Sequence, residues 1–415
     1  MAWLVNQQGH REYYAVPRAL HGRSELAALW TNIWISPPAK RWLTCFPGGT
    51  VRRLRDYHHE ALASGRVRAW TAASFWFELR TRFGGRASVD WALARNRWWD
   101  RKTAEALRTL PPSSGVDVFF TYSYGMGESL AEARRKGWRT VYGQIDPGLV
   151  EQQKVAEIAR RWPAFRTGFK ELSADFYERW RDECALADRV VVNSEWSADA
   201  LSALGIPRAK IAVVPLVYDP PPGTHEFVRE YPARFSMARP LRVLFLGQCI
   251  LRKGVAETIE AAQRLAGLPI EFSLVGNTDI HDLPLHLRGA RIVHTPRVAR
   301  GQTADFFRAA DIFVFPTHSD GFGLTQLEAQ SWKLPIVTSP FCGRVVRHGE
   351  TGWVIPEVTS EALVAVLREA MNSPDLLRQF SRRIEPWPFT LDRLGTRLVE
   401  IAADAGNSAS AAKTR

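Results

Sequence analysis

Cysteine and methionine are scarce in this 415-residue chain, with four of each. Cys45, Cys184, Cys249 and Cys342 stand far apart, without a CxxC pair or a histidine at zinc-ligand spacing. They therefore read as reduced thiols, not as a disulfide framework or a metal site. No apolar run approaches the ~18 residues that a helix needs to cross a bilayer. The N-terminus, MAWLVNQQGHREYY, lacks the basic and then apolar pattern of a secretory leader. Together these absences predict a cytoplasmic protein that meets membranes only from their surface, at the inner face. The chain has no GxGxxG and no P-loop ending in GK[ST], which removes the commonest dinucleotide and nucleoside-triphosphate signatures.

Charge is abundant and uneven. The formal net charge is +12, and the first 110 residues hold 18 Lys+Arg against 8 Asp+Glu, so +10 of it lies there. Nine of the sixteen tryptophans share that stretch, among them Trp30, Trp34, Trp42, Trp98 and Trp99. Three readings follow: arginine stems packed on tryptophan faces, an anionic membrane or lipid-linked ligand, or nucleic acid. The basic residues form no compact block and match no nucleic-acid motif, so nucleic acid is the weakest of the three. His58–His59 sit in a charged stretch and read as solvated surface. His10, beside Gly9 and after the first apolar run, is placed to line a cleft.

Short apolar runs alternate with helical patterns. WLVN, VDVFFTYS, RTVYGQID, DRVVVNS and KIAVVPL read as buried strands of a first half. LRVLFLG, EFSLVGN, ARIVHTP, DIFVFP, LPIVTS and TGWVIP repeat the rhythm in a second. Helices are expected over Gly127–Lys136 and Ser197–Leu204, the latter with Ser197 as N-cap and Gly205 just past its end. Continuous apolar strands alternating with helices predict an α/β fold of two Rossmann-like, doubly wound parallel sheets. The proline-rich stretch 218–238 reads as a connector between domains at 1–217 and 239–385. A helix at 386–405 and a polar tail at 406–415 complete the chain.

Thr317 to Gln330, THSDGFGLTQLEAQ, carries the most chemistry. It places a glycine-rich turn between an apolar strand and an amphipathic helix, where aligned backbone N–H groups favour an anion. Asp320 and Glu328 bracket the turn and can accept hydrogen bonds from hydroxyls. N–H groups for phosphate and carboxylates for sugar suit a nucleotide-sugar. Earlier, RVLFLGQCILRKG sets Gly247 after a strand and brings Arg252 and Lys253 within reach of phosphate. As a glycosidase pair the two acids are too far apart for a retaining enzyme and marginal for an inverting one. Retaining enzymes hold their carboxyls about 5–5.5 Å apart, whereas Glu328 lies roughly two turns along a helix at about 1.5 Å per residue.

The two segments taken together, G-x5-K-G followed by an acid, GFG and x4-E-A, resemble glycosyltransferase family 4, of GT-B architecture. The resemblance runs through SWKLPIVTSPFCGRVVRHGETGWVI, and NSEWSADALSALGIPRAKIAVVP is similar to that family's link between domains. It implies a retaining, metal-independent transferase of a hexose-type sugar from an NDP-sugar (UDP or GDP) to a saccharide or lipid-linked acceptor, in polysaccharide or glycolipid synthesis. Metal independence agrees with the lack of a DxD-type acidic cluster beside a strand. Glu328 would hold the donor ribose and Asp320 the transferred sugar. Gly321, Phe322, Gly323 and Leu324 would meet the diphosphate with their N–H groups, and Lys253 would bind phosphate. The helix after Trp387 would cross back to the first domain.

Two departures mark this chain. Gln248 stands where the family has an arginine, which leaves Arg252 as its substitute. VYGQIDPG carries Gln144 and Asp146 where many members have a histidine, making Asp146, with Arg300 and His318, a candidate for direct action. The alternative is a protein of the same fold that binds nucleotide-sugar without turnover. A hydrolysing epimerase shares the architecture but not the GFG-x4-E region.

Overall fold

The computed structural model describes residues 1–43, 54, 56–63, 65–82, 88–111, 113–165, 167–168 and 171–413. Two parallel sheets organise them. In the first, β1 (Trp3–Gln7), β2 (Leu26–Thr31), β3 (Val67–Ala69), β4 (Val118–Tyr122), β5 (Arg139–Gly143), β6 (Arg189–Val192) and β7 (Ile211–Val213) lie in the order β3-β2-β1-β4-β5-β6-β7. In the second, β8 (Leu241–Leu246), β9 (Ile270–Val275), β10 (Ile292–Thr295), β11 (Ile312–Phe315), β12 (Ile336–Thr338) and β13 (Gly352–Val354) lie in the order β10-β9-β8-β11-β12-β13. Helices cover both faces, so β1, β4 and β11 are buried along their whole length and can be apolar throughout. Strand order reverses between β1 and β4 and again between β8 and β11. Crevices open at the carboxyl ends of strands at such reversals.

β2 and β3 are absent from the sequence-based strand list. LAALWT has neither alternation nor β-branched residues before its final threonine, and its strand character comes from pairing with β1 on one side and β3 on the other. The helix expected from Ser197 starts earlier, at Glu195. Ser194 is its N-cap, accepting from the Ser197 N–H at 3.2 Å. The expected helix at Gly127 ends at Arg135, with Lys136 as its C-cap.

Residues 218–238 contain no helix or strand but are pinned to the second sheet. The buried Arg229 guanidinium donates to the carbonyls of Phe307 (2.8 Å), Trp332 (2.7 Å), Arg308 (3.3 Å) and Ala310. The Tyr231 hydroxyl donates to the Asp311 carbonyl at 3.0 Å. The four carbonyls take the terminal N–H groups of this guanidinium and offset much of the cost of burying it, while its Nε is left without a partner.

The final helix, Leu391–Lys413, returns to the first sheet. Leu394, Leu398, Ile401 and Ala402 join Val5, Leu20 and Phe120 in one core. The helix continues past 405 into the stretch read as a tail, where alanines favour continuation. The chain's two passages between the sheets touch: the Trp387 indole donates to the Leu216 carbonyl at 2.9 Å. The helix Leu149–Arg161 follows β5, yet Ile158 and then Phe165 pack in the core of the second sheet with Leu251 and Ile280.

Candidate functional site

At the carboxyl end of β8 the chain turns through Gly247 and Gln248 to a short 3-10 turn, Leu251–Lys253, and then a helix at Val255–Arg264. Gly254 takes a left-handed conformation (φ 76°), and a Cβ there would lie 2.1 Å from the Pro316 carbonyl. Only glycine lets the β8 and β11 loops come this close. They are sewn together by His318 N–H to the Arg252 carbonyl (2.8 Å) and by the Thr317 hydroxyl to the same oxygen (3.2 Å).

This approach joins Lys253 to Asp320 in a half-buried ion pair. Burial pushes the Asp320 carboxyl upward, but Lys253 and Arg252 outweigh it and hold it below its ordinary value. Burial lowers the Lys253 ammonium, with Asp320 opposing that shift. Asp320 is thereby an ionised acceptor, and its Oδ1 also faces the Phe322 N–H at 3.4 Å. The Phe322 ring is buried against Leu327, Val345 and Trp387, which anchors the turn. Gly321, Gly323 and Leu324 lead into the short helix Thr325–Ser331, with the half-buried Glu328 in its first turn.

Arg252 is already engaged, which alters its expected role as a free replacement for the arginine missing at Gln248. Its Nη1 lies 3.2 Å from Glu151 Oε2 and donates to the Ser319 carbonyl at 2.6 Å. Glu151 comes from the first half and also accepts from the Ser319 hydroxyl at 3.0 Å. Burial raises the Glu151 pKa to about 7; Arg252 opposes this, while Asp146 and Asp320 add to it. Gln248 itself is exposed.

Asp146 follows β5 and sits directly against the turn. A Cβ on Gly321 would lie 2.2 Å from the Ile145 carbonyl and 3.6 Å from the Asp146 Cα. The Asp146 carboxylate accepts from the Tyr124 hydroxyl, from Gln144 Nε2 (3.0 Å) and from the Gly148 N–H (2.9 Å). Gln144 is held in turn by Trp180 Nε1 at 2.9 Å. A cleft cavity of about 340 Å³ opens here, lined by Asp146, Gly148 and Glu151 from one half and Leu251, Arg252 and Asp279 from the other. Arg252 and Asp146 thus line one cleft, and the paired Lys253 and Asp320 are the chain neighbours of Arg252 and Gly321 beside it.

His318 points elsewhere: its Nε2 lies 2.9 Å from Glu257 Oε1, which also accepts from Trp162 Nε1 at 2.8 Å. Glu257 is fully buried and was not singled out from the sequence, because a lone glutamate in a helix gives no signal. Arg300 begins the helix Arg300–Ala309, and its side chain lies outside the described residues. His58 departs from its expected solvated place. It is 8% exposed, beside Trp34, and His59 caps a short turn by accepting from the Ala61 N–H. Burial lowers the His59 pKa to about 4. Cys184, Cys249 and Cys342 are buried free thiols. Among the described residues no group of His, Cys, Asp and Glu could hold a metal, and no helix is long and apolar enough to cross a membrane.

At the reversal in the first sheet, the loops after β1 and β4 enclose a second cavity of about 360 Å³, with His10 and Ile145 in its wall.

Comparison with known proteins follows this geometry. Residues 232–387 match the family described as Glycosyl transferases group 1, and residues 47–220 match Glycosyltransferase Family 4. The chain is 30% identical over 226 residues to a D-inositol 3-phosphate glycosyltransferase of Streptomyces coelicolor, covering 46% of this chain and 49% of that one. It is 24% identical over 140 residues to a capsular polysaccharide biosynthesis glycosyltransferase of Staphylococcus aureus, covering 32% and 37%. The chain spans about half the length, or less, of these curated relatives. The fold is similar to that of Anabaena HepE in complex with UDP (TM-score 0.59, 14% identity, 97% and 100% covered). It is equally similar to a sucrose-phosphate synthase of Thermosynechococcus elongatus (TM-score 0.59, 16% identity, 100% of each covered).

Proposed function

Because the chain belongs to the glycosyltransferases, with its second half in the group 1 family and its first half in family 4, we propose that it transfers a hexose-type sugar from an NDP-sugar with retention of configuration. The observation that carries this is the Lys253–Asp320 pair set between two loops at a strand-order reversal, on a turn whose Gly321 abuts Ile145 and Asp146 of the first half. UDP is the favoured base, since the similar HepE structure holds UDP. The diphosphate draws Lys253 away from Asp320 and meets the N–H groups of Gly323 and Leu324. Asp320 then accepts from the sugar hydroxyls, and Glu328 from the ribose. The cation and dipoles stabilise the leaving diphosphate as its charge develops. Lys253 and Arg252 fill the place of a divalent ion, so the reaction is metal-independent. The acceptor, a saccharide or lipid-linked molecule of polysaccharide or glycolipid synthesis, enters from the first domain at the cytoplasmic face. The helix Thr71–Arg82 exposes Phe75 (66%), Trp76 (60%) and Arg80, a face suited to peripheral contact with an anionic membrane.

Calorimetry with UDP and UDP-sugars tests the donor site: Glu328→Ala should weaken UDP at least about tenfold, and unchanged affinity would remove that assignment. A second reading, a non-catalytic binder of the same fold, is favoured by the three hydrogen bonds that hold Asp146 Oδ1 within the first half and by the exposed Gln248 in the arginine's place. It predicts UDP-sugar binding without release of free UDP in any transfer or hydrolysis assay.

A further inference from the structure

The helix Leu149–Arg161 starts just past Asp146 and carries the Glu151 carboxylate from the first half into the loops of the second. Three contacts close a ring there. Glu151 Oε2 lies 3.2 Å from Arg252 Nη1 and accepts from the Ser319 hydroxyl at 3.0 Å. The same Nη1 donates to the Ser319 carbonyl at 2.6 Å. Ser319 is fully buried and precedes Asp320 in the chain, and Trp196 Nε1, also of the first half, reaches its hydroxyl at 3.1 Å. On the other side of Asp320, the Ser197 hydroxyl donates to the Gly321 carbonyl at 3.4 Å. First-half side chains therefore hold both neighbours of Asp320.

The ring uses one nitrogen of Arg252. Its Nε and Nη2 make no hydrogen bond among the described residues, and Arg252 and Glu151 line the same cleft cavity. A guanidinium is a rigid fork of donors, so fixing Nη1 sets the direction of the remaining edge. An unheld arginine would lose its rotamer freedom only when a phosphate arrives, at a cost in affinity. The charge around Glu151 is mixed. Arg252 and Lys253 face it from the β8 loop, Asp320 from the β11 loop, Asp146 from the β5 loop and Tyr177 from the helix Ala174–Leu186. Two nearby carboxylates make a third one costly, and a glutamine would accept the same hydrogen bonds. The charge of Glu151 therefore has a use beyond tying two loops together.

We infer that Glu151 is a positioning residue of the donor site: reaching across from the first half, it aims the open edge of Arg252 at the donor diphosphate while Ser319 sets Asp320. Arg252 keeps this partner as Lys253 leaves Asp320, so the second phosphate cation is in place only where the two halves meet. The inference rests on the donor site proposed above.

The test is a double-mutant cycle in the full chain, with Glu151→Gln, Arg252→Gln and the two combined. UDP affinity is read by calorimetry and kcat/KM with a UDP-sugar by steady-state kinetics, with thermal midpoints as the control for folding. Each single change should cost about tenfold, and the double change about tenfold as well, because Glu151 acts through Arg252. The pH profile is a readout that a merely structural tie would not move. Wild-type kcat/KM should rise as pH increases through about 7, where the carboxyl ionises and pairs with Arg252, and Glu151→Gln should lose that step. UDP bound equally well by Glu151→Gln, a double variant weakened about a hundredfold, or a wild-type profile flat across pH 7 overturns the role of Glu151 and leaves the donor site standing. UDP binding without turnover ends the transferase reading, and the affinity cycle then decides on Glu151 alone. A wild-type chain that binds no UDP removes the donor site, and the role of Glu151 with it.

Discussion

The two sheets present their polar loops in the same way, at strand ends beside a reversal in strand order, but the loops are charged on different principles. In the second half the two cations of the β8 loop each have a fixed acid: Lys253 with Asp320, and Arg252 with Glu151. In the first half Arg11 and Arg95, in the wall of the cavity at the strand-order reversal, lie against the Tyr122 and Trp91 rings, while the buried acids Asp100 and Glu183 are structural ties. Asp100 accepts from the Glu128 and Ser129 N–H groups at 2.9 Å each, holding the start of the helix Gly127–Arg135. Glu183 accepts from the Gly125 and Met126 N–H groups and from the Tyr142 hydroxyl. A paired site is balanced before its ligand arrives, so Lys253 must exchange partners to bind. A ring holds a cation in place without neutralising it.

The largest expected break in this contrast comes from Lys253→Ala. It should lower kcat/KM for the UDP-sugar by about 10²–10³-fold, in the range of other lost transition-state donors, while leaving any ligand of the first-half cavity untouched; steady-state kinetics decides. Leu398→Ala comes next. Removing a fully buried leucine of the returning helix should cost about 2–5 kcal/mol, read as a lower midpoint in denaturant. A small loss would show that the first sheet stands without its returning helix.

The third prediction concerns pH and the first half alone. Burial raises Glu183 to about 7 and Asp100 to about 6. Between their unfolded values and these, the folded chain holds protons that the unfolded chain has released. Stability therefore falls as pH rises from about 4 to 7, and Glu183→Gln should flatten that slope in thermal melts. The smallest effect is a null one. EDTA should leave transfer unchanged if Lys253 and Arg252 do the work of a metal, and loss restored by a divalent ion would contradict this.

How much of this was legible in the sequence depends on how local each feature is. The second sheet's strands and the turn at 317–330 are contiguous, so hydrophobic runs and one glycine-rich segment expose them. β2 escaped because LAALWT becomes a strand only between two neighbours. The first-half cavity draws on residues from Asn6 to Ile145, scattered over six segments. The engagement of Arg252 by Glu151 was also hidden, since 101 positions separate them.

The contact between Trp387 and Leu216 has a mechanical meaning. A body joined to another at two distant points can scarcely move, and one joined at a single point can swing in any direction. Here the two crossings lie side by side, tied by one hydrogen bond, and so form a short pin. The halves also meet away from this pin, through Arg252 on Glu151 and Trp162 on Glu257. A rotation about it therefore has to break those contacts and draw Ile158 and Phe165 out of the opposite core, exposing apolar surface to water.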